Sequence, residues 1–212
     1  MLGLKNFISA FAISLCAVPM SAQFSSPTLQ LRTNGLYDLA ASPNIGIEIQ
    51  TDLGWAWQFD YTGAWWVDDP AHNYFSNYAF MTEIRYYFDS KKNHYQMPYT
   101  GHHLGLYGQL ITFDFEFGKK GYMNRDLDKG WAVGASYGYT IQLSKYWSVD
   151  FTAGLGWLDI KYDTYLPSET HRPGSTGYSR TGTREFKWFG PTKLEVSFIY
   201  NLNYTNHPKY VY

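Results

Sequence analysis

The run WAWQFDYTGAW, from Trp55 to Trp65, decides the fold because large and small side chains alternate strictly along it. Aromatic residues take the odd positions, whereas Ala, Gln, Asp, Thr and Ala take the even positions. Successive side chains of a β-strand point to opposite faces, so this period of two predicts a strand with one bulky apolar face and one small or polar face. The segments 131–143 and 194–202 repeat the pattern.

The composition is that of an ordered, aromatic-rich protein. Of its 212 residues, 20% are aromatic and only 17% are charged, and the net charge is −1. This charge predicts no nucleic-acid partner, because nucleic-acid binding needs a basic surface. The mean hydropathy of −0.36 excludes a polytopic helical membrane protein. The length suits a single domain or one small closed barrel.

The first 22 residues have the three parts of a cleaved signal peptide. Lys5 supplies the positive charge, residues 7–19 are apolar, and Ala22 ends a plausible cleavage motif. Cys16, the only cysteine, follows a leucine rather than the small residue of a lipoprotein signal, so cleavage without a lipid anchor is expected. A secreted chain without disulfides is more typical of a bacterial envelope than of a eukaryotic extracellular domain.

Period-two alternation continues along the rest of the chain and predicts eight strands. They span residues 29–41, 44–51, 54–66, 77–88, 102–117, 130–143, 147–165 and 185–202. The predicted domain covers residues 23–202, and a C-terminal tail covers 203–212. Two strands change parity, near Leu110-Ile111 and near Trp157-Leu158, which indicates either bulges or strand ends that project beyond a membrane.

The two faces of the strands distinguish a membrane barrel from a soluble one. The interior of an eight-stranded barrel is just wide enough for side chains, so small and polar residues fit inside, whereas rows of Trp and Tyr fit outside in lipid. At about 3.3 Å per residue and a tilt near 40°, the ten steps from Trp55 to Trp65 span roughly 25 Å, the height of the apolar band of an outer-membrane barrel. We therefore predict an all-β fold: an eight-stranded antiparallel up-and-down transmembrane β-barrel. Its long connections, 67–76, 118–129 and 166–184, would lie on the outer side of the bacterial outer membrane.

Five short motifs carry a family resemblance. They are NIGIE at 44–48, EIRYY at 83–87, GASYGY at 134–139, GLG at 154–156 and FGPTK at 189–193. In this order they resemble the uncharacterised outer-membrane β-barrel family of Bacteroidota known as domain of unknown function 3575 (DUF3575). The chain departs from the family pattern at Phe88 and in its long 89–101 segment. The resemblance implies an envelope protein and brings no activity with it.

The alternation places eight charged side chains inside the predicted barrel. They are Arg32, Glu48, Asp60, Glu83, Arg85, Asp150, Lys193 and Glu195. A charge in a narrow lumen is costly unless it is paired and hydrogen-bonded, so we expect these residues to form a plug of salt bridges. A proton or ion path is the alternative. The five acids exceed the three bases, which predicts abnormal titration of some carboxylates but does not indicate a pore.

Catalytic, cofactor and metal motifs are absent from the sequence. His102 and His103 are adjacent, so on a strand they point to opposite faces and cannot share a metal ion. Residues 124–130 carry alternating oxygen ligands but lack the closing Glu of a calcium loop. His72 and Ser76 share one predicted outer loop without a hydrolase motif around them. We therefore expect no catalytic residue, no cofactor and no metal ion.

The predicted loop 166–184 is the most distinctive surface feature, since it carries Arg172, Arg180 and Arg184. Arginine binds phosphate through two hydrogen bonds, so contact with outer-membrane lipid, including lipopolysaccharide, is expected; a merely solvated loop is the alternative. The leading hypothesis is a non-enzymatic, monomeric barrel with a structural or interaction role. Its outer loops would contact lipid or an envelope or fimbrial assembly protein. A lipid-modifying enzyme and a small channel are the alternative hypotheses.

Overall fold

The computed structural model describes residues 28–51, 54–68, 73–88, 99–117, 122–125, 130–167 and 178–202. The predicted signal peptide, 1–22, and the predicted tail, 203–212, lie outside these ranges. Within them, no helix is both long enough and apolar enough to cross a membrane.

The described chain contains nine β-strands and one short helix. In chain order they are β1 (Thr28–Asn34), α1 (Gly35–Leu39), β2 (Asn44–Gln50), β3 (Trp55–Asp68), β4 (Asn73–Tyr87), β5 (Gly101–Phe117), β6 (Tyr122–Arg125), β7 (Trp131–Gln142), β8 (Trp147–Pro167) and β9 (Tyr178–Asn201).

The strands form one closed, antiparallel ring. Each of the strands β1 to β5 pairs with the next strand in the chain, β8 pairs with β9, and β9 returns to pair with β1. Both β6 and β7 lie between β5 and β8, so together they occupy one position. The predicted arrangement of eight antiparallel strands is therefore confirmed.

The strands are staggered around the ring. Starting from Asn201 on β9, the cross-strand partners lead back to β9 at Gly190 through Gln30, Glu48, Gln58, Glu83, Tyr107, Gly134 and Gly156. A ring that returns to a different residue of its first strand can close only if its strands are tilted against its axis.

Several predicted boundaries are wrong. The first strand ends at Asn34, not at residue 41, because the Asn34 side chain accepts a hydrogen bond from the backbone N–H of Leu36 and caps helix α1. The predicted loop 118–129 contains strand β6. The predicted loops 67–76 and 166–184 are shorter than expected, because paired backbone hydrogen bonds extend the flanking strands.

The distribution of polarity is the reverse of that in a water-soluble protein. On β3, Ala56, Gln58 and Ala64 are buried, whereas Trp55 and Trp65 are exposed. Over the described ring, polar and charged residues outnumber apolar ones among the buried side chains, and the exposed side chains include many Leu, Ile, Phe, Tyr and Trp. Soluble proteins place such large apolar side chains inside.

Tyr99 closes the end of the ring at which β1 begins and β9 ends. Its backbone N–H donates to Oε1 of Gln50 at 2.9 Å, and its hydroxyl accepts from the backbone N–H of Gly54 at 3.0 Å. Its ring lies 5.3 Å from that of Tyr87 and is buried with Ala56. The unusually long connection before β5 therefore ends with a side chain that packs into the ring.

The two parity changes in the sequence are not bulges. Strand β5 pairs with β4 without a register shift from His103 to Phe117, so Leu110-Ile111 is regular. On β8, the register shifts against β9 at Gly154/Leu155 and Thr164/Tyr165, not at Trp157-Leu158. At both predicted sites, successive side chains alternate regularly between the two faces of the strand. What changes there is whether each face carries polar or apolar side chains.

Candidate functional site: the charged interior

All eight predicted charged residues meet inside the ring. They come from six strands and lie on the inner face: Arg32 on β1, Glu48 on β2, Asp60 on β3, Glu83 and Arg85 on β4, Asp150 on β8, and Lys193 and Glu195 on β9. Seven are buried, and the Asp60 side chain retains 15% of its exposure. We call this group the charged interior.

Arg85 contacts four carboxylates. Its Nε lies 2.7 Å from Oε2 of Glu83, and its Nη1 lies 3.0 Å from Oδ2 of Asp150 and 3.4 Å from Oε2 of Glu48. Its Nη2 lies 3.4 Å from Oε2 of Glu195. A guanidinium suits this position because its donors form a rigid planar fork that can serve several acceptors at once.

Arg32 shares three of these acids with Arg85. Its Nη1 donates to Glu48 at 2.9 Å, and its Nη2 lies 3.2 Å from Asp150 and 3.3 Å from Glu195. Its Nε lies 3.6 Å from Oδ1 of Asp60. The two guanidiniums are therefore held side by side by carboxylates between them, which offsets the repulsion between two buried cations.

Lys193 and Glu83 form a second pair above the arginines. Nζ of Lys193 lies 2.6 Å from Oε2 of Glu83 and 3.3 Å from Oε2 of Glu195. The other oxygen of Glu83, Oε1, accepts a hydrogen bond from the Ser136 hydroxyl on β7. These contacts connect β4, β7 and β9 across the ring, so the charged interior links strands that do not pair directly.

Uncharged and aromatic donors complete the coordination of the acids. The Tyr87 hydroxyl and Nε2 of Gln50 donate to Oε1 of Glu48, at 3.0 Å and 2.8 Å. The Thr140 and Thr152 hydroxyls donate to Asp150 at 2.7 Å and 2.8 Å. Burial removes water from a carboxylate, and the free-energy cost of burying its charge is offset only if such donors replace the lost hydrogen bonds.

His103 is a member of the charged interior that the sequence analysis missed. Its Nε2 lies 2.8 Å from Oδ1 of Asp150, and the side chain is fully buried. His102 lies on the outer face, where its Nδ1 is 2.6 Å from the Tyr137 hydroxyl. The predicted opposite orientation of the two histidines is confirmed. The same alternation, with Leu104 outside, could have identified His103 as an inward residue.

Glycines provide the space that the charged side chains occupy. A Cβ atom on Gly46 would collide with the Asp60 carboxylate, and one on Gly105 would collide with the Glu83 carboxylate. A Cβ atom on Gly138 would collide with the His103 ring and the Thr152 hydroxyl. The small inner-face residues of the alternating pattern are therefore required by the volume of their charged neighbours.

Among the described residues of the ring, three buried side-chain polar atoms have no hydrogen-bond partner: Oε1 of Gln58, Nδ1 of His103 and Oγ of Ser148. In the same residues, no group of three or more His, Cys, Asp or Glu side chains is arranged to hold a metal ion. The charged side chains form a network across the strands, in which Arg32, Arg85 and Lys193 each have at least two acidic neighbours.

The three arginines of the predicted contact loop do not share a loop. Arg180 and Arg184 lie on β9, because the pairing of β8 with β9 continues beyond both residues, and Arg172 lies outside the described residues. Nη2 of Arg180 lies 2.8 Å from Oδ1 of Asp163 on β8. Ser76, which the sequence suggested for an outer loop, is buried on β4, and His72 lies outside the described residues.

Replacing Arg85 with Ala tests the charged interior. The change leaves several buried carboxylates without their main cation, so we expect a loss of about 3–5 kcal/mol in the free energy of unfolding. Unfolding in a series of denaturant concentrations, monitored by heat-modifiable mobility on gels, measures this loss. Arg180→Ala is the control, because its ion pair is exposed to solvent and its removal should leave the unfolding midpoint unchanged. Equal midpoints for Arg85→Ala and the unchanged protein would show that Arg85 is not in a buried pair.

A pair of glycines on β5 tests the packing of the same site. Gly105→Ala places a methyl group against Glu83 and Ser136, so we expect destabilisation by about 1–3 kcal/mol. Gly108→Ala meets no atom within 4 Å and should be neutral or stabilise by up to about 1 kcal/mol. Unfolding curves of the two variants measure the difference. An equal effect of the two changes would contradict the close packing around Gly105.

Comparison with known proteins places the chain in a family. A family model described as "Protein of unknown function (DUF3575)" matches residues 9–202. No curated protein and no solved structure matches the chain significantly. The match covers the whole ring and every residue of the charged interior. The chain therefore belongs to the DUF3575 family of proteins of unknown function.

Proposed function

We propose that this protein is a non-enzymatic transmembrane β-barrel of the outer membrane of a Bacteroidota bacterium, with a structural or interaction role at the cell envelope. Its charged interior is a plug that makes the barrel rigid. Its outer face binds membrane lipid, and the parts of the strands beyond the membrane form the contact surface for lipopolysaccharide or an envelope assembly partner.

The observation that supports this proposal most directly is the distribution of side chains in the ring, with polar ones inside and apolar ones outside. Charged and amide side chains fill the interior, and the outer face exposes a continuous apolar surface. On β2 this surface consists of Ile45, Ile47 and Ile49, and on β7 it includes Val133 and Tyr137. A large exposed apolar surface is stable in contact with lipid and is a liability in water.

Aromatic side chains support two membrane interfaces. At the end closed by Tyr99, Trp55 contacts Tyr86, with ring centroids 5.0 Å apart, and Trp147 contacts Tyr200 at the same distance. Toward the other end of β3, the Trp65 side chain is 66% exposed. Trp and Tyr are enriched at both interfaces of membrane proteins because one side of the ring is apolar and the other is polar.

The plug favours a structural or interaction role over a channel. Its members link strands that do not pair with each other, as in the contacts of Arg32 on β1 and Arg85 on β4 with Asp150 on β8. A conducting path would need water in place of these direct contacts. The charged interior instead joins the strands across the ring by these direct contacts.

The strand ends beyond the apolar surface suit contact with charged headgroups or proteins. There the outer faces of β8 and β9 carry alternating charges, with Asp159 opposite Lys187 and Lys161 opposite Glu185. Arg180 lies further along the same ribbon, beside Asp163. Mixed charges on a projecting ribbon provide hydrogen-bond donors for phosphate and acceptors for basic groups.

A lysine in place of Phe59 tests the proposed depth of β3 in the membrane. Phe59 lies on the outer face of β3, four residues from Trp55 and six from Trp65 and so in the central part of the apolar span. Phe59→Lys should therefore cost roughly 2–4 kcal/mol of folding free energy in lipid. Val67→Lys is the matched control on the same face beyond Trp65, where the cost should be about 0–1 kcal/mol. Unfolding in phosphatidylcholine vesicles measures both values. Equal costs at the two positions would contradict the proposed depth of β3.

A further inference from the structure

Strand β9 has one long unpaired edge. It pairs with β8 along almost its whole length, whereas on its other side β1 pairs only with residues 197–201. The Asn34 side chain then covers two groups of this edge: its Nδ2 donates to the Leu194 carbonyl at 3.3 Å, and its Oδ1 accepts from the Val196 N–H at 3.2 Å. Among the described residues, no strand pairs with this side of β9 from residue 178 to residue 193.

A regular stretch lies within this edge. The pairing of β8 with β9 shifts register twice, and between the two shifts it is uninterrupted from Gly182 to Pro191 of β9. We call residues 182–190 the edge segment. All residues from 183 to 189 are exposed, so the segment is open on both of its faces. The backbone N–H and C=O groups of a strand point alternately to its two neighbours, so the edge segment presents a row of them with no described strand opposite.

The edge segment is close to a palindrome in its chemistry. Its sequence is GTREFKWFG, with a glycine at each end and Phe186 at the centre. Glu185 and Lys187 flank the centre with opposite charges. In an antiparallel pair of two copies about Phe186, Glu185 of each copy lies opposite Lys187 of the other, and Arg184 lies opposite Trp188. Opposite charges in cross-strand pairs stabilise a sheet, and arginine stacks favourably on tryptophan.

The charges of the edge segment also disfavour other registers. A shift by two residues keeps the faces of the strands but places Glu185 opposite Glu185 or Lys187 opposite Lys187, and like charges directly opposite each other destabilise a strand pair. Within one copy, Nζ of Lys187 lies 3.1 Å from Oε1 of Glu185, and both side chains are about half exposed. Such an exposed pair contributes little to stability, so its charges are available to a second strand.

We propose that this protein pairs with a second copy of itself through the edge segment. A two-fold axis at Phe186 joins the β8–β9 ribbons of the two copies into one four-stranded sheet, in a self-complementary contact of the kind that two-fold symmetry requires. Each copy supplies the backbone partners that the edge of the other lacks. The pairing also places the rings of Phe186, Trp188 and Phe189, which are 47%, 45% and 69% exposed, beside the strand of the second copy. A dimer thus takes the place of the monomer that the sequence analysis expects.

The strand direction determines where the two copies lie. An antiparallel pair reverses the direction of β9 between the copies, whereas upright barrels in one membrane all direct β9 the same way. The pair therefore joins barrels in two membranes that face each other, with the β8–β9 ribbons meeting between them. This arrangement rests on the proposed membrane function, and it identifies the partner of the projecting ribbon as a second copy of the chain.

Disulfide formation across the two-fold axis tests the pairing. The only cysteine of the sequence is Cys16, so the chain without its predicted signal peptide has no thiol. Phe186→Cys places two thiols opposite each other, with Cα atoms about 4.5–5.5 Å apart, a distance that a disulfide spans. Trp188→Cys is the matched control on the same face, because its two copies would lie roughly 13 Å apart along the strands.

The two cysteine variants are oxidised with diamide in detergent micelles, and disulfide-linked dimers are measured on non-reducing gels. We expect roughly fivefold more dimer from Phe186→Cys than from Trp188→Cys, because only the first pair of thiols is within reach. Equal yields from the two variants, or no dimer from either, would overturn the proposed pairing.

Charge reversal tests the same register between membranes. Glu185→Lys and Lys187→Glu each bring like charges together when a variant pairs with itself, whereas a mixture of the two variants restores both opposite-charge contacts. Each variant is placed in phosphatidylcholine vesicles with donor or acceptor dyes, and energy transfer reports vesicle docking. We expect roughly tenfold less docking for either variant alone and recovery on mixing. Because the same two proteins are compared alone and mixed, a folding defect cannot explain the recovery.

The outcomes separate this inference from the membrane function. Docking that neither variant reduces, or that mixing does not restore, would overturn the inference alone. A mature chain that folds to a β-rich protein in plain buffer would overturn the proposed membrane function. The disulfide yields of Phe186→Cys and Trp188→Cys, measured on that soluble protein, would then still decide whether the edge segment pairs with itself.

Discussion

Two arginines and the carboxylates between them hold the interior of the ring together. Arg32 and Arg85 share Glu48, Asp150 and Glu195, so four strands of the ring, β1, β2, β4 and β8, and the closing strand β9 meet in one cluster. Removing two guanidiniums from water is costly, and only direct contact with several acceptors offsets that cost. The small residues of the inner face, including Gly46 and Gly105, follow from the need to place these groups within contact distance.

The polar interior also determines the exterior. Charges, amides and glycines occupy the inner positions of the strands. The large apolar side chains therefore take the outer positions. In the function that we propose, lipid covers this apolar outer surface, and aromatic side chains border it at both ends. Further along β8 the two faces exchange their character, with Asp159 and Lys161 on the outer face and Leu158 and Ile160 on the inner face. The proposed function explains this exchange as the point at which the strands leave lipid and enter water.

Local alternation made much of this fold predictable. A period of two is a property of consecutive residues, so the strands, their inner charges and the outward aromatics could be inferred from segments such as 55–65. The end of β1 at Asn34 could not be inferred in the same way, because it depends on the short helix that Asn34 caps and not on the alternation along the strand. His103 could have been found from the alternation, but its contact with Asp150 depends on a strand far away in sequence. The parity changes near residues 110 and 157 were visible, yet only the register of neighbouring strands distinguishes a bulge from an exchange of apolar and polar faces.

Refolding in the presence and absence of lipid tests the central claim most directly. The mature chain would be diluted from denaturant into plain buffer and into phosphatidylcholine vesicles, with circular dichroism reporting β-structure and sedimentation reporting association. A charged interior surrounded by an apolar exterior predicts a β-rich, dispersed protein only where lipid or detergent covers the outer face. A β-rich monomer in plain buffer would contradict the account, because it would show that the apolar outer surface needs no lipid.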